Sequence, residues 1–253
     1  MNDSTISCLP QMTDIWEKTL DWKPSPQQQE LFQRLYGLIL EGNRQLNLTR
    51  ITDPEDFWEK HLWDSLRGIK FLISVNEDER REEGKEITII DLGTGAGFPG
   101  IPVAIAVKNC TVNLVDSTKK KITFINSILP QLNLNNLKAT TCRAEEIGRQ
   151  RQHREAYDIA LIRAVASASA CAEYALPLLK QGGLAVVYRG SLTDEETINM
   201  ENAVEQLGGI IESIEKFNTP ISNSDRHCLY LRKVANTPAK FPRAVGVPAQ
   251  RPL

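Results

Sequence analysis

The chain has 253 residues, of which 41% are hydrophobic and 25% charged, and its formal net charge is -2. This composition is ordinary for a globular protein, and the charge argues against a protein that coats nucleic acid by bulk positive charge. No segment approaches about 18 consecutive apolar residues and no apolar leader opens the chain, so we expect a cytoplasmic protein. The 5 cysteines and 3 histidines are scattered, so we predict neither a disulfide framework nor a metal site.

Helices are predicted ahead of the first strand. Apolar residues at helical spacing within 15–20 predict a short helix. Residues 25–28, SPQQ, combine a capping serine, a proline at the first helical position and a glutamine three residues after the serine, which is typical of a helix start. Asp53, followed by proline, starts a further helix that carries His61 and Asp64. We interpret His61 and Asp64 as a satisfied pair one helical turn apart.

Three regions are predicted along the chain. Residues 76–86 are dense in charge and indicate a solvated connection, so residues 1–85 form an N-terminal helical region with this connection at its end. Residues 86–236 form the core. The tail, 237–253, is rich in proline and carries basic but no acidic residues. It is therefore either an extended strap over the surface or a positively charged arm that meets phosphates.

The stretch EITIIDLGTGAGFPG, residues 86–100, carries the strongest local signal. Its β-branched run is typical of a strand buried on both faces, and the run stops at Asp91. Gly93, Gly95 and Gly97 follow at alternate positions, and prolines stand where a helix would begin. A strand, a glycine turn and a helix start together predict a nucleotide-type binding loop.

Two cofactors compete for this loop. Residues 95–100 fit the dinucleotide pattern G-x-G-x-x-G, which allows a nicotinamide or flavin cofactor. The longer pattern from Asp91 to Gly97 instead resembles motif I of the class I S-adenosylmethionine (AdoMet) methyltransferases. Because its glycines begin two residues after a carboxylate, the loop suits the ammonium of a methionine moiety better than a phosphate, and we favour AdoMet.

Strands alternate with helices in the rest of the chain. This alternation predicts an α/β fold with a doubly wound, mostly parallel sheet whose ligands lie at the carboxyl ends of the strands. Asp116 falls at such an end, where it would accept hydrogen bonds from both ribose hydroxyls. The further strands are predicted at 111–115, 137–142, 157–162, 183–188, 210–217 and 227–234, and the helices at 119–129, 168–179 and 193–207.

Several segments along the chain together match the pattern of one protein family. They are residues 47–49, His61 with 64–66, 91–102, 116–117 with 120–121, 143–145, 157–158 with 163–164, and 241–243 before Gly246. Over almost its full length the chain thus resembles the RsmG (GidB) family, whose members transfer a methyl group from AdoMet to N7 of one guanine in 16S rRNA. The resemblance implies a class I, Rossmann-like methyltransferase with an N-terminal helical extension, AdoMet as cofactor, and 16S rRNA or the 30S subunit as partner.

The resemblance also implies a role for individual residues. Gly93 and Phe98 would line the methionine end, residues 116–118 the ribose, and Ala144 and Glu145 the edge of the adenine. Arg163 would lie at the mouth where cofactor and RNA meet. For Glu145 the alternative is a solvated acid at a helix start. The cofactor-binding candidates are Gly93, Gly95, Gly97, Phe98, Asp116, Ser117, Thr118, Ala144, Glu145 and Arg163.

The implied chemistry needs position more than a base. Guanine N7 has a free lone pair and no proton to remove, so no general base is expected and Arg163 is a positioning candidate. No cysteine follows a proline, and the fourth strand is not followed by the motif of adenine amino methylases, which argues against both of those target atoms. A small-molecule methyltransferase, with the N-terminal helices as a substrate lid, stays open as an alternative, as does a dinucleotide-dependent oxidoreductase.

Contacts to RNA are expected from basic side chains, each of which is also an ordinary surface group when taken singly. Arg189 stands where the family usually has lysine, which replaces a compact ammonium by a planar fork. The RNA-binding candidates are Arg44, Arg189, Lys240 and Arg243, together with the cluster of Arg149, Arg151, His153 and Arg154.

Overall fold

The computed structural model describes residues 8–74 and 86–253, and in these the strands form one seven-stranded sheet in the order β3-β2-β1-β4-β5-β7-β6. Strands β1 to β5 are parallel where they pair, and β7 runs antiparallel to both β5 and β6. The predicted doubly wound, mostly parallel sheet is confirmed. The strands are β1 (Ile87–Leu92), β2 (Cys110–Asp116), β3 (Leu137–Thr141), β4 (Tyr157–Arg163), β5 (Leu179–Arg189), β6 (Gly209–Asn218) and β7 (Asp225–Lys233).

Helices cover both faces of this sheet. The N-terminal ones are α1 (Thr13–Leu20), α2 (Pro26–Leu46), α3 (Pro54–Phe57), a π-helical stretch (Trp58–Trp63) that continues into α4 (Asp64–Arg67), and α5 (Lys70–Ile73). The later ones are α6 (Gly100–Ala106), α7 (Lys119–Leu132), α8 (Ala144–Ile147), α9 (Ala168–Ala175), α10 (Asp194–Gln206) and α11 (Val247–Gln250).

Helix α2 begins where the sequence predicts it. The Ser25 hydroxyl accepts from the backbone N–H of Gln28 at 3.3 Å, and the Gln28 side chain accepts from the backbone N–H of Ser25 at 2.8 Å. Two backbone donors at the helix start are thereby satisfied reciprocally. Asp53 caps α3 in a similar way, since its carboxylate accepts from the next two free backbone N–H groups.

The predicted helix 168–179 is too long. Helix α9 ends at Ala175, a single 3-10 turn follows over Leu176–Leu178, and β5 begins at Leu179. Pro177 explains the early end, because proline removes a backbone donor and clashes with a continuing α-helix. Strand β5 starts four residues earlier than the predicted 183, and its register against β4 shifts once near its beginning.

Alternate residues of the strands enter two separate apolar layers. In β5, Val186 and Tyr188 face the layer of α1–α7, whereas Ala185 and Val187 face the layer of α8–α10. The N-terminal helices therefore share one core with a face of the sheet. The division into 1–85, 86–236 and 237–253 stays a prediction, and the charged connection predicted at 76–86 lies, except for residue 86, outside the described residues.

Neighbouring strand ends bring the predicted acids and Arg163 together. Leu92 at the end of β1 is paired with Val115 of β2 on one side and with Ile162 of β4 on the other. Asp91, Asp116 and Arg163 consequently lie along one carboxyl edge of the sheet. In the part of the chain that is described, no helix has the length and apolar character needed to cross a membrane.

Candidate cofactor-binding site

Asp91 is fully buried behind the glycine loop. Its Oδ2 accepts hydrogen bonds from the Thr94 hydroxyl at 2.6 Å and from the backbone N–H of Gly100 at 2.8 Å. Its Oδ1 is buried with no partner among the described residues. Burial raises the pKa of Asp91 to about 6, against the lowering effect of the bonds from Thr94 and Gly100. A charged donor placed at Oδ1 would favour the ionised carboxylate.

The three alternating glycines have different reasons to be glycine. All have positive φ, at 72° for Gly93, 60° for Gly95 and 103° for Gly97. A Cβ at Gly93 would overlap the Val165 side chain, and one at Gly97 would overlap that of Ile101. At Gly95 the nearest atom would be the Gly93 carbonyl oxygen at 4.0 Å, so open space lies beside Gly95. The protein itself excludes side chains at the outer two positions, whereas the space at the Cβ position of the middle glycine is open to a ligand.

Asp116 closes the loop from the end of β2. Its Oδ2 accepts from the backbone N–H of Gly95 at 3.0 Å, and its Oδ1 accepts from the N–H of Thr118 at 2.8 Å. Each carboxylate oxygen can accept a second hydrogen bond, so capacity remains for ribose hydroxyls. Ser117 and Thr118 follow as exposed residues at the entrance to α7.

Glu145 lies near Asp116 but is not solvated. The backbone N–H of Cys142 donates to the Asp116 carbonyl at 3.1 Å, which joins the end of β3 to the end of β2 just before α8. Glu145 is only 5% exposed. Its Oε1 accepts from the backbone N–H of Gly246 at 2.8 Å and from the Tyr174 hydroxyl at 3.4 Å. The alternative of a solvated acid is therefore wrong.

Arg163, at the end of β4, is tied to the N-terminal helices. Its Nη1 donates to Asp64 Oδ2 at 2.8 Å and to the Lys60 carbonyl at 3.1 Å. Ala164 follows with a φ of 56°, a left-handed conformation that non-glycine residues adopt at some cost. The chain thus turns sharply after Arg163, beside Val165 and the glycine loop.

The interpretation of His61 and Asp64 as a mutual pair is wrong, because each binds a different partner. Asp64 binds Arg163, whereas His61 Nε2 forms a hydrogen bond with the Thr49 hydroxyl at 2.9 Å. The imidazole stacks on Phe98 of the glycine loop, with ring centroids 4.3 Å apart. Burial, assisted by Arg163, lowers the pKa of His61 to about 3, so the ring is neutral.

The RNA-binding candidates differ in how exposed they are and in their intramolecular partners. Arg44 and Lys240 are exposed. The Arg189 guanidinium instead donates to Glu196 Oε1 at 2.5 Å and to the Ala166 carbonyl at 2.8 Å, and that of Arg243 is bound by buried Glu173. Arg189 and Arg243 thus form intramolecular ion pairs, and their contact with RNA stays a prediction.

The basic cluster is engaged as well. Arg149 and Arg154 donate to backbone carbonyls of the tail, and His153 Nδ1 forms a hydrogen bond with the Tyr157 hydroxyl at 2.6 Å, whereas Arg151 is exposed. These contacts favour the strap over the free arm for residues 237–243. Among residues 8–74 and 86–253 no group of three histidines, cysteines or acids is placed to hold a metal ion.

Several residues of this region carry no predicted role. Glu173 and Tyr174 on α9 belong to an alanine-rich apolar helix, and nothing in the local pattern points to a tail 70 residues further along the chain. Thr49 is predicted only as part of a matching segment, and Asp64 is predicted to pair with His61 and not with Arg163. The spacing of a motif identified them, but the partner of each became visible only in the fold.

A family model described as GidB, rRNA small subunit methyltransferase G, matches residues 28–229. The chain belongs to this family. Ribosomal RNA small subunit methyltransferase G of Nostoc punctiforme is 65% identical over 97% of this chain and 98% of its own length. That of Trichodesmium erythraeum is 57% identical over 100% of this chain and 98% of its own length.

Membership of the rRNA small subunit methyltransferase G family makes this chain an AdoMet-dependent rRNA methyltransferase and removes the oxidoreductase alternative. Solved structures agree on the fold. The 16S rRNA (adenine(1408)-N(1))-methyltransferase W203A mutant of Catenulisporales acidiphilia has a TM-score of 0.52 at 14% identity, over 65% of this chain and 94% of that one. A putative methyltransferase of Bacillus halodurans has a TM-score of 0.51 at 12% identity, over 68% and 100%. At such identities the likeness shows the fold alone.

Gly95→Ala tests the open space beside the loop. We expect it to weaken binding of the product analogue S-adenosylhomocysteine at least about tenfold while lowering the free energy of unfolding by only ~1 kcal/mol, from the positive φ. Calorimetry and urea unfolding measure the two effects. Gly182→Ala is the matched control, since Gly182 also has positive φ, at 81°, and open space around its Cβ position. Equal binding by both variants would place the cofactor elsewhere.

Asp91 should make cofactor affinity depend on pH. Its pKa of about 6 means that lowering the pH through 6 protonates the carboxylate, whereas an ammonium binds the ionised form. We therefore predict that the dissociation constant of S-adenosylhomocysteine rises about tenfold from pH 7 to pH 5, a range in which its α-amino group stays protonated. Calorimetry at each pH measures this. Asp91→Asn should bind more weakly and lose the dependence; an unchanged slope in Asp91→Asn contradicts the prediction.

Proposed function

We propose that the protein transfers a methyl group from AdoMet to N7 of a guanine in 16S rRNA, at the carboxyl edge of β1, β2 and β4. The observation that carries this proposal is the glycine loop closed onto Asp116, with the buried carboxylate of Asp91 behind it, in a chain of the rRNA small subunit methyltransferase G family. The substrate is the small ribosomal subunit or its RNA, and the enzyme acts in the cytoplasm where that substrate is found.

The residues at this edge fit AdoMet. Asp91 Oδ1 is a buried acceptor that lacks a partner among the described residues, and an ammonium would satisfy it. Gly95 adjoins open space, Asp116 keeps acceptor capacity for the ribose, and Glu145 keeps Oε2 for the adenine. The other residues assigned to the cofactor are Gly93, Gly97, Phe98, Ser117, Thr118, Ala144 and Arg163.

When bound, AdoMet supplies a methyl group on a positively charged sulfur, which a nucleophile displaces in line. Guanine N7 is such a nucleophile without losing a proton, so the contribution of this chain is to orient the reactants and to exclude water. We assign the orientation at the mouth to Arg163. Asp64 and the Lys60 carbonyl hold its Nη1, which leaves Nε and Nη2 without hydrogen-bond partners among the described residues.

Phosphate contacts are assigned to exposed cations near this edge. Lys119 and Lys120 are exposed at the start of α7, directly after the residues assigned to the ribose. Gln45 and Leu46 at the end of α2 line the same groove as these lysines, and exposed Arg44 precedes them in that helix. Lys240 is exposed on the tail. Phosphate contacts hold RNA in register, and N7 becomes reachable once its base is exposed or flipped.

Transfer of labelled methyl from AdoMet tests the proposal. The substrates are 30S subunits from a strain that lacks this enzyme and, in parallel, protein-free 16S rRNA. We expect label on at least one of them, recovered by nucleoside analysis as 7-methylguanine. Label in a different nucleoside would contradict the target atom. No label on either substrate, from protein that binds AdoMet, would favour a small-molecule substrate instead.

Asp64→Asn tests the orientation of Arg163. Weakening this charge-assisted hydrogen bond should lower kcat on the rRNA substrate about tenfold, which corresponds to ~1.4 kcal/mol, while S-adenosylhomocysteine affinity changes less than about twofold. Steady-state kinetics and calorimetry separate the two quantities. Asp158→Asn is the control, because it breaks another half-buried ion pair, with Lys180 at 2.8 Å, at the opposite end of β4. Equal loss of kcat in both variants would show a general effect of stability.

A further inference from the structure

The C-terminal tail is bound along the segment that follows α8. Arg154 Nη2 donates to the Thr237 carbonyl at 2.7 Å, and its Nη1 donates to the Phe241 carbonyl at 2.8 Å. Arg149 Nε donates to the Pro242 carbonyl at 2.9 Å. Guanidinium donors thus fix the path of the tail backbone up to Arg243.

At Arg243 the tail is fixed a second time, by α9. Glu173 is completely buried, and its carboxylate accepts from the backbone N–H of Arg243 at 2.7 Å and from the Nε and Nη2 of the same residue at 2.6–3.0 Å. A carboxylate that meets a guanidinium in this forked way sets direction as well as distance. Side chain and backbone of Arg243 are therefore held together on one buried anion.

Three residues later the tail reaches the adenine side of the site. The N–H of Gly246 donates to Glu145 Oε1 at 2.8 Å. The Tyr174 hydroxyl, next to Glu173 on α9, contacts the same oxygen at 3.4 Å, and burial with the nearby Glu145 raises the pKa of Tyr174 to about 12, so it stays a donor. Both donors use Oε1, and Oε2 has no hydrogen bond within the part of the chain that is described.

We infer that residues 243–246 are a positioning element of the cofactor site, which holds the Glu145 carboxylate so that Oε2 can accept the exocyclic amino group of adenine. The inference rests on the proposed function, in which Glu145 meets the adenine edge. Arg243 and Glu173 touch neither cofactor nor RNA, and they act through Gly246 and Glu145. A carboxylate already held in one orientation loses less conformational freedom when the ligand binds.

This role differs from the RNA contact that the charge of the tail suggests. The guanidinium of Arg243 is occupied by Glu173, and its side chain is 25% exposed. A phosphate contact that draws Nε and Nη2 away from Glu173 would break a bidentate pair and leave a buried carboxylate without a counter-charge, which is strongly unfavourable. Loss of this pair should therefore weaken binding of the adenine-containing ligand before it weakens binding of RNA.

The test compares two ligands that differ at the adenine edge, S-adenosylhomocysteine and its deaminated analogue S-inosylhomocysteine, by calorimetry on the full chain. The double variant Glu173→Met/Arg243→Met removes the tether without leaving a buried charge. We expect it to bind S-adenosylhomocysteine about tenfold more weakly and the inosyl analogue nearly as before, so that the preference of the wild type is lost. Arg251→Ala, which removes an exposed tail cation, should leave both affinities unchanged.

Two further variants separate the possible failures. Arg243→Lys keeps a positive charge beside Glu173 but loses the planar guanidinium fork. It should therefore lose part of the preference for S-adenosylhomocysteine, and it tests the inference even if the double variant does not fold. If Glu145→Gln retains the full preference, the adenine assignment in the proposed function is wrong. If Glu145→Gln loses the preference while the Arg243 variants keep it, or if these variants weaken both ligands equally, the positioning role of the tail is overturned.

Discussion

Buried Asp91 holds the glycine loop through hydrogen bonds from Thr94 and Gly100, and the rest of the site depends on these bonds. Its carboxylate lies near the end of β1 and accepts a hydrogen bond from the backbone N–H of Gly100, the first residue of α6. A Cβ at Gly100 would overlap Leu114 and lie 2.8 Å from the Asp91 carboxylate, so only glycine permits this approach. The cost of burying the carboxylate is offset in part by these hydrogen bonds, which are available only in the folded loop. Asp116 then fixes the outer side of the same loop through Gly95.

The N-terminal helices fix the other side of the site. Phe98 of the loop stacks on His61, and Arg163 is anchored on Asp64. Further along the sheet the Tyr188 hydroxyl donates to the Ser65 carbonyl at 2.8 Å. A region that the sequence presents as an extension thus supplies contacts to the loop, to the mouth and to the sheet. In the proposed function, both parts of the chain therefore contribute to orienting the reactants, which this chemistry requires more than a base.

Local sequence patterns were sufficient to predict most of the strands and helices and the glycine loop. The β-branched run before Asp91 and the alternating glycines predict a strand and turn because each signal lies within a few residues of its effect. The end of α9 could not be predicted from hydrophobicity, because a short apolar run such as residues 176–179 fits a buried helix and a buried strand equally well. Only the proline within this run indicates that the helix stops. Long-range partners were beyond such patterns. Glu173 binds Arg243 across 70 positions, and a free cation and a paired one look the same in a sequence.

The shared core between the N-terminal helices and one sheet face limits how this enzyme can diverge. Leu161, Val186 and Tyr188 are covered on that face by the helical layer, so exchanging the extension for another module would expose a continuous apolar surface to water. Substitutions in this layer are then more readily accommodated on the outer surface of the existing helices. In this protein the N-terminal helices are part of the scaffold, so any change in them has to preserve the packing beneath them.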